Sequence, residues 1–208
     1  MPRPRFARLA PDRQRQILER AAEEFGAHGY THASLNRVIE RLGLNKGAFY
    51  YCFDGKADLF GAVVQMVWDR FVPNGFDIAA LDAASFWPSI RRLLRENHAR
   101  IREEPWLAGI ARLLANPPQS AAADAAISDV LTRGRAWARS LVQRGQEVGA
   151  VRTDVELDLL LDALMAVDQA ADRWLLAAWD RLTPTEREAA SVLVFDLWRR
   201  IADPAPAR

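Results

Sequence analysis

The sequence predicts an all-α protein. Apolar residues recur at intervals of three and four along most of the 208 positions, and no segment of useful length alternates polar with apolar residues. Capping residues, prolines and glycines separate these periodic segments, which predicts about nine helices. Half of the residues are apolar and a quarter are charged, as in an ordinary globular protein. Cys52 is the only cysteine, which excludes an internal disulfide and a thiolate zinc cluster.

Three short helices are predicted in the first 54 residues. The first spans 12–28, because Pro11 can open a helix and the periodic segment runs up to a glycine-rich turn. Ser34 is a good N-cap for the second, which Gly43 ends, and Asn45 can cap the third. The apolar side chains expected to face inward are Ile17, Leu18, Ala21, Ala22, Phe25, Leu35, Val38, Ile39, Leu42, Phe49 and Phe53.

Longer helices are predicted downstream. A fourth begins at Lys56 and ends at Phe71. The others are expected at 83–102, 106–114, 121–147, 156–180 and 184–201. We therefore predict two domains: a helix-turn-helix head over residues 1–54, with its motif at about 34–53, and a helical body over residues 55–208. All seven tryptophans lie in the body.

The positive charge of the chain is concentrated in the head. Residues 1–56 contain eight arginines and two lysines against six acidic residues, a net charge of +4 in a chain whose total is +1. A short helix at 46–52 cannot be stable alone, so earlier helices must hold it for what it presents outward. Charge and layout together favour binding in a DNA groove.

The head also resembles a known family. The matching features are the periodic segment 17–25, Gly29-Tyr30, the capped segment 34–43, and the run Asn45 to Phe53 followed by Lys56 and Leu59. Over about residues 12–64 these features resemble the TetR family of bacterial one-component transcriptional regulators. The resemblance implies a homodimer whose heads enter successive major grooves of a palindromic, double-stranded DNA operator. It also implies that a small-molecule effector, bound by the body, changes the spacing of the heads.

The resemblance also implies which residues contact DNA. Base reading falls on Asn36 and Lys46, with Gly47 as a further candidate, because an amide can make a two-point contact with adenine and an ammonium can donate to guanine. Ala48 stands where the family usually has a threonine that touches phosphate. The predicted DNA-binding set is Ser34, Asn36, Arg37, Asn45, Lys46, Gly47, Ala48, Tyr50, Tyr51 and Lys56, in which tyrosine hydroxyls and Lys56 hold phosphates.

Two further features of the head have competing interpretations. Arg3, Arg5 and Arg8 can form an arm along DNA, although we expect a disordered, nonspecific tail over residues 1–8. Cys52 can act as a thiol sensor, although we expect it to serve packing.

The body is predicted to contain a ligand pocket and a dimer interface. The residues expected near the pocket are Trp68, Trp87, Asn97, His98, Arg102, Trp106 and Trp137, because family pockets lie among the middle helices. Asp168 and Asp172 lie four residues apart, which suits acid-base chemistry, a cationic ligand, or pairing with Arg173 and Arg199 across a dimer interface; we favour the last. The predicted interface set is Asp168, Asp172, Val192, Phe195 and Trp198.

These observations predict a ligand-responsive transcriptional regulator, released from its operator by the effector when it acts as a repressor. We expect no cofactor, no metal, no catalytic residue and no membrane segment, and a cytoplasmic location. The alternatives are an α-helical enzyme using Asp and His residues of the body, or a nonspecific architectural DNA-binding protein. The sequence contains no nucleophile elbow, phosphate-binding glycine loop or paired-histidine metal motif to support an enzyme.

Overall fold

The computed structural model describes residues 2–72, 75–104, 106–115 and 120–204. Over these residues the chain forms nine α-helices, two short 3-10 helices and no strand, which confirms the all-α prediction. The α-helices are α1 (Pro11–His32), α2 (Leu35–Arg41), α3 (Lys46–Cys52), α4 (Lys56–Phe71), α5 (Phe86–Glu103), α6 (Trp106–Ala115), α7 (Ala121–Glu147), α8 (Leu157–Ala178) and α9 (Pro184–Ala202). None of the described helices has the length and apolar character that crossing a membrane requires.

Most predicted helix bounds agree with the structure to within three residues, and the differences have local causes. Gly29 adopts φ 69° and ψ 169°, so α1 is interrupted there before a last turn ends at His32. α5 starts at Phe86 rather than at residue 83, because Asp82 and Ser85 exchange hydrogen bonds ahead of the helix. α8 ends at Ala178 and tightens into a 3-10 helix, Trp179–Arg181.

The N-terminal segment is ordered, so the prediction of a disordered tail is wrong for residues 2–8. The Arg3 amide donates to the Cys52 carbonyl at 2.9 Å. Phe6, in the 3-10 helix Phe6–Arg8, is buried with its ring centroid 4.9 Å from that of Phe53. The buried ring and the hydrogen bond together hold this segment against the end of α3. Met1 lies outside the described residues.

Unit 1 is the first of two compact units and comprises Met1–Pro73 with Glu103–Thr132. Helices α1 and α6 cross at two glycines: a Cβ atom on Gly109 would lie 2.9 Å from the Gly26 Cα atom. Gly61 of α4 plays the same role against α7, where an added Cβ atom would lie 2.7 Å from the Ala126 carbonyl oxygen. Backbone contacts of this kind allow no larger side chain. Through these contacts α4, α6 and the start of α7 pack with the first three helices. Unit 1 is therefore larger than the head predicted over residues 1–54, whose boundary came from the DNA-binding motif.

Unit 2 comprises Asn74–Arg102 with Arg133–Arg208. Its core brings together apolar side chains from α5, α7, α8 and α9, among them Phe86, Leu160, Leu161 and Phe195. Gly145 lies so close to Phe86 that an added Cβ atom would be 2.6 Å from the ring. This core fixes α5 beside α9, and a cleft lies between these two helices.

Candidate nucleic-acid interface

Helices α2 and α3 form a capped helix-turn-helix. The Ser34 hydroxyl accepts a hydrogen bond from the Arg37 amide at 3.4 Å, and the Asn45 side chain accepts one from the Ala48 amide at 2.8 Å. Between them Gly43 adopts φ 62°, and the Leu44 amide donates to the Ile39 carbonyl at 3.0 Å. A left-handed glycine after the last helical turn closes a helix and redirects the chain. The caps and glycine predicted from the sequence are therefore confirmed.

The inner face of α3 is aromatic. Phe49 and Phe53 are fully buried and their ring centroids are 5.4 Å apart. Cys52 is buried beside them, and this burial raises the pKa of its thiol, which makes the reactive thiolate scarcer. The predicted packing role of Cys52 therefore fits the structure better than a thiol sensor.

The outer face of α3 is polar and open to solvent. Tyr50 and Tyr51 have 46% and 51% of their surface exposed, although both are large aromatic residues. Of the other predicted DNA-binding residues, those that are also exposed are Asn36, Arg37, Asn45, Lys46, Gly47 and Ala48. Arg5 lies over the Tyr51 ring, with its guanidinium carbon 3.7 Å from the centroid. The N-terminal segment thus places a cation at the edge of this face.

Arg37 has a structural partner in addition to its predicted DNA role. Its Nε donates to the Glu24 carboxylate at 2.8 Å, and its Nη2 donates to the His32 carbonyl at 3.1 Å. Glu24 lies on α1, is only 1% exposed, and also accepts from the Ser34 amide at 2.8 Å. Burial acts to raise the pKa of Glu24, but the hydrogen bonds from Arg37 and Ser34 outweigh it and the pKa lies below its ordinary value. Glu24 therefore joins the start of α2 to α1.

Lys56 is also held by the protein. Its Nζ donates to the carbonyls of Thr31 at 2.8 Å and Ala33 at 2.9 Å, and lies 5.2 Å from the Tyr30 ring centroid. Lys56 is half-buried, and this burial lowers the pKa of its ammonium. An ammonium has three donors, so one is left for the phosphate contact predicted from the sequence.

The predicted pocket residues do not gather in one described place. Trp68 and Trp106 belong to unit 1, whereas Trp87, Trp137 and Asn97 belong to unit 2. The Trp87 indole donates to the Ala150 carbonyl at 3.1 Å and packs against the core, so its role is structural.

His98 and Arg102 do line a cleft of about 310 Å³ within unit 2. The cleft runs between α5 and α9, and Trp179 also lines it. The other residues that give the cleft its charge were not predicted from the sequence; they are Arg91, Arg95, Arg187 and Glu188. The sequence contains a pattern that could have indicated the α5 side of the cleft, because residues 91, 95, 98 and 102 recur at helical spacing along one face of α5.

The predicted interface residues differ in exposure. Phe195 is only 6% exposed and packs in the unit 2 core, so it has little surface to offer a partner. Val192 is exposed, Trp198 and Asp168 are half-buried, and Asp172 is exposed. The predicted partner Arg199 is paired with Asp203 at 2.9 Å. The exposed large apolar residues of α8 and α9 are Leu159, Trp174, Val192, Leu193 and Leu197.

Metal binding finds no support in the part of the chain that the structure describes, since no three His, Cys, Asp or Glu side chains lie together as a ligand set would require. His28 and His32, on either side of the interruption at Gly29, are both exposed.

Known proteins share this organisation. A family described as "Bacterial regulatory proteins, tetR family" matches residues 17–63, from the middle of α1 into α4. The HTH-type transcriptional repressor Rv1474c of Mycobacterium tuberculosis is 30% identical over 164 residues, which cover 74% of this chain and 81% of that protein. The HTH-type transcriptional repressor AcnR of Corynebacterium diphtheriae is 28% identical over 160 residues, covering 71% and 73% of the two chains.

Solved structures agree on the fold. The transcriptional regulator FadR of Bacillus subtilis, solved in complex with stearoyl-CoA, has a TM-score of 0.74 at 15% identity and covers 88% of this chain and 96% of its own. SmeT, the repressor of a Stenotrophomonas maltophilia multidrug efflux pump, has a TM-score of 0.69 at 17% identity and covers 95% and 92%. Helix-turn-helix, fold and relatives together define a DNA-binding transcriptional regulator. The chain belongs to the TetR family of bacterial regulatory proteins, and the relatives that span most of its length are transcriptional repressors.

Proposed function

We propose that this chain is a homodimeric repressor whose two heads, residues 1–54, bind successive major grooves of a palindromic operator, and that a small-molecule effector releases it. The observation that carries the proposal is the outer face of α3. Two half-exposed tyrosines and Lys46 stand on a seven-residue helix whose inner face is fully buried. A helix this short contributes little to stability, so its exposed aromatic residues indicate a binding surface.

Within that surface we assign base contacts and phosphate contacts to different residues. Lys46 is at the first position of α3 and Asn36 is near the start of α2, and both are exposed. Recognition helices contact base edges with residues near their N-termini, so these two residues are proposed to read sequence. The hydroxyls of Tyr50 and Tyr51 are proposed to hold phosphates, with Arg5 adding a positive charge.

The body, residues 55–208, supports the other two parts of the proposal. Five exposed apolar residues on α8 and α9 suit a symmetric interface between two copies, which would place two heads on one operator. The stearoyl-CoA in the FadR structure shows that this fold can hold a small molecule, and the cleft in unit 2 offers this chain a place for one.

DNA binding by Lys46→Ala tests the head. Fluorescence anisotropy with DNA from the upstream region of the chain's own gene should show wild-type binding that weakens as salt rises, because phosphate contacts release counterions. Lys46→Ala should lose about 10- to 100-fold in affinity for the specific site, with little change for random DNA. Arg92→Ala, an exposed cation on α5, is the matched control and should bind like wild type.

Two results would contradict the proposal. Equal specificity ratios for Lys46→Ala and wild type would show that α3 does not read the operator. A mass by light scattering that corresponds to a monomer, both with and without operator, would contradict the proposal that the protein is a homodimer.

A further inference from the structure

The cleft in unit 2 is lined by cations from two directions. Arg91, Arg95 and Arg102 line it from α5, and Arg187 lines it from α9. Of the described side chains in its lining, Glu188 alone is acidic. Four guanidinium groups against one carboxylate give a local charge of +3 in a chain whose total charge is +1. Like charges held in one concave site repel each other and raise the local concentration of anions.

Nearby acidic residues do not neutralise these arginines. Among the described residues, no carboxylate lies within ion-pair distance of Arg91, Arg95 or Arg102. Of the two acidic residues on the same helix, Glu96 and Glu103, Glu96 pairs instead with Arg100 at 3.9 Å. Arg100 also donates to the Asn97 side chain at 2.8 Å. Among the described residues the cleft arginines therefore form no ion pair, whereas Arg100 beside them is paired.

Aromatic rings hold two of the four cations in place. The guanidinium carbon of Arg187 lies 4.5 Å from the Trp179 ring centroid, and its Nε and Nη2 donate to the Trp179 carbonyl at 3.0 and 2.6 Å. The guanidinium carbon of Arg91 lies 6.0 Å from the Phe195 ring centroid. A cation stacked on a ring loses less conformational entropy when a ligand binds, so these two are preorganised.

The floor of the cleft is polar and neutral. The Ser191 hydroxyl donates to the Arg187 carbonyl at 2.8 Å and lies 2.7 Å from His98 Nδ1. A hydroxyl that donates to a carbonyl can accept from Nδ1–H, which assigns the proton of the neutral ring to that nitrogen. Burial lowers the pKa of His98, which favours this neutral form. His98 therefore adds no charge, and its other nitrogen is left as an acceptor for a ligand hydroxyl.

We propose that this cleft is the effector site of the regulator and that it binds a small anion carrying carboxylate or phosphate groups. The guanidinium fork matches both groups by paired hydrogen bonds. The volume lies at the small end of the range of about 300–1,000 Å³ that ligand sites occupy. The apolar walls formed by Leu94, Val192 and Trp179 would cover the carbon skeleton of the ligand. This proposal rests on the proposed function, because an effector has meaning only for a protein that binds an operator.

Isothermal titration of the full-length protein with pyrophosphate and with tricarballylate tests the site. Spermidine serves as the cationic control, and chloride keeps the ionic strength constant. At least one anion should bind, and the double variant Arg91→Gln/Arg95→Gln should weaken it by about tenfold or more. Arg92→Gln removes an exposed cation outside the lining of the cleft and should leave the affinity within about twofold. Which of the two anions binds more tightly decides between phosphate and carboxylate.

The same proteins then test the effector role by operator binding. The bound anion should weaken the wild-type complex by about tenfold, a coupling of ordinary size. The double variant should bind operator like wild type and should not respond to the anion. Circular dichroism and the melting midpoint confirm that the double variant folds.

Several results would overturn the proposal. They are binding of neither anion, equal anion binding by wild type and the double variant, or anion binding that leaves operator affinity unchanged. Failure of the wild type to bind any operator is a different result. It would overturn the proposed function, and the titration would still decide whether the cleft binds anions.

Discussion

Glu24 of unit 1 and Asp168 of unit 2 are both carboxylates that lie on long helices and are at least partly buried, but their pKa values are shifted in opposite directions. Glu24 accepts hydrogen bonds from the Ser34 amide and from Arg37, and its pKa lies below the ordinary value. No hydrogen bond or ion pair from the described residues reaches Asp168. Burial, together with the negative charge of Asp172 four residues on, raises the pKa of Asp168 to about 7.

The difference shows that hydrogen-bond and ion-pair partners, more than burial alone, determine whether the pKa of a buried carboxylate is lowered or raised. Glu24 is the more deeply buried of the two and is still the stronger acid, because two donors favour its ionised form. The arginines follow the same division. Arg37 in unit 1 is held by a carboxylate, whereas Arg91 and Arg95 in unit 2 form no ion pair with any described residue, although Glu188 lines the same cleft. Unit 1 thus uses paired charges to fix the head, whereas the cleft of unit 2 contains arginines that form no ion pair with the described residues.

The largest expected effect is at Glu24. Glu24→Ala removes the acceptor for the Ser34 amide and for Arg37 and leaves a small cavity, so we expect a loss of about 3 kcal/mol in the free energy of unfolding. Glu24→Gln keeps one acceptor oxygen and should lose less. Urea unfolding at neutral pH measures both.

Glu23→Ala is the matched control, since Glu23 forms only a partly exposed ion pair with Arg20 at 2.8 Å. It should stay within about 0.5 kcal/mol of wild type. Equal losses for Glu23→Ala and Glu24→Ala would contradict the joining role of Glu24 between α1 and α2.

The next effect is at Lys56, a paired cation of the same unit. Lys56→Met removes two charge-assisted hydrogen bonds to the Thr31 and Ala33 carbonyls, and we expect it to lower the free energy of unfolding by about 1.5 kcal/mol. Lys46→Met replaces an exposed lysine and should leave stability unchanged while it impairs specific DNA binding. If Lys56→Met kept full stability and lost affinity for all DNA alike, the role of Lys56 would be to contact phosphate and not to stabilise the fold through the Thr31 and Ala33 carbonyls.

Asp168 should show a smaller effect with a defined pH dependence. Its pKa is raised from 3.8 to about 7 in the folded protein, so the folded state binds the proton more tightly than the unfolded state. The ionised carboxylate therefore destabilises the fold: the penalty is complete above about pH 7, falls as the pH drops below the folded pKa, and is absent below the ordinary pKa of 3.8. Asp168→Asn should stabilise the protein by about 1 kcal/mol at pH 8, and the gain should vanish towards pH 4.

Thermal melts of Asp168→Asn at several pH values measure this difference. Asp162→Asn is the control on the same helix, because Asp162 is exposed and paired with Arg135 at 2.6 Å. It should give no gain at any pH. A gain for Asp168→Asn that is the same at pH 4 and pH 8 would show that titration of this carboxylate is not its cause. The pKa of the neighbouring Asp172 is raised less, to about 6, and Asp172 has the larger exposed fraction, so Asp168 is the better test.

Much of the head could be predicted from the sequence because its determinants are local. Ser34, Gly43 and Asn45 act within four residues of themselves, so caps and a left-handed glycine fix the helix-turn-helix without tertiary information. The contacts made by Glu24, Lys56 and Phe6 join segments 10 to 47 residues apart. No pattern in the sequence marks these partners.

The cleft was harder to predict for a related reason. Its α5 half has a helical spacing that could have been found, but the α9 half and the neighbouring Trp179 come from nearly 100 residues later. Tryptophan was expected to line the pocket, and Trp87 instead packs in the core. Aromatic residues at helical spacing fit either role, and only the packing of α5 beside α9 decides between them.

The smallest expected effect on stability is at Arg95. Measuring it tests whether the arginines of the cleft repel one another or behave as ordinary solvated surface residues. Arg95 has no ion pair within the described part of the chain, so Arg95→Gln removes more repulsion from the three other cleft arginines than attraction to Glu188. We expect its melting midpoint to equal or slightly exceed that of wild type in low salt, and the difference to disappear at high salt as the charges are screened. Arg135→Gln, which breaks the pair with Asp162, should show no such gain. A midpoint for Arg95→Gln below wild type at every salt concentration would mean that Arg95 has a stabilising partner, and the contrast between the two units would then not extend to the arginines.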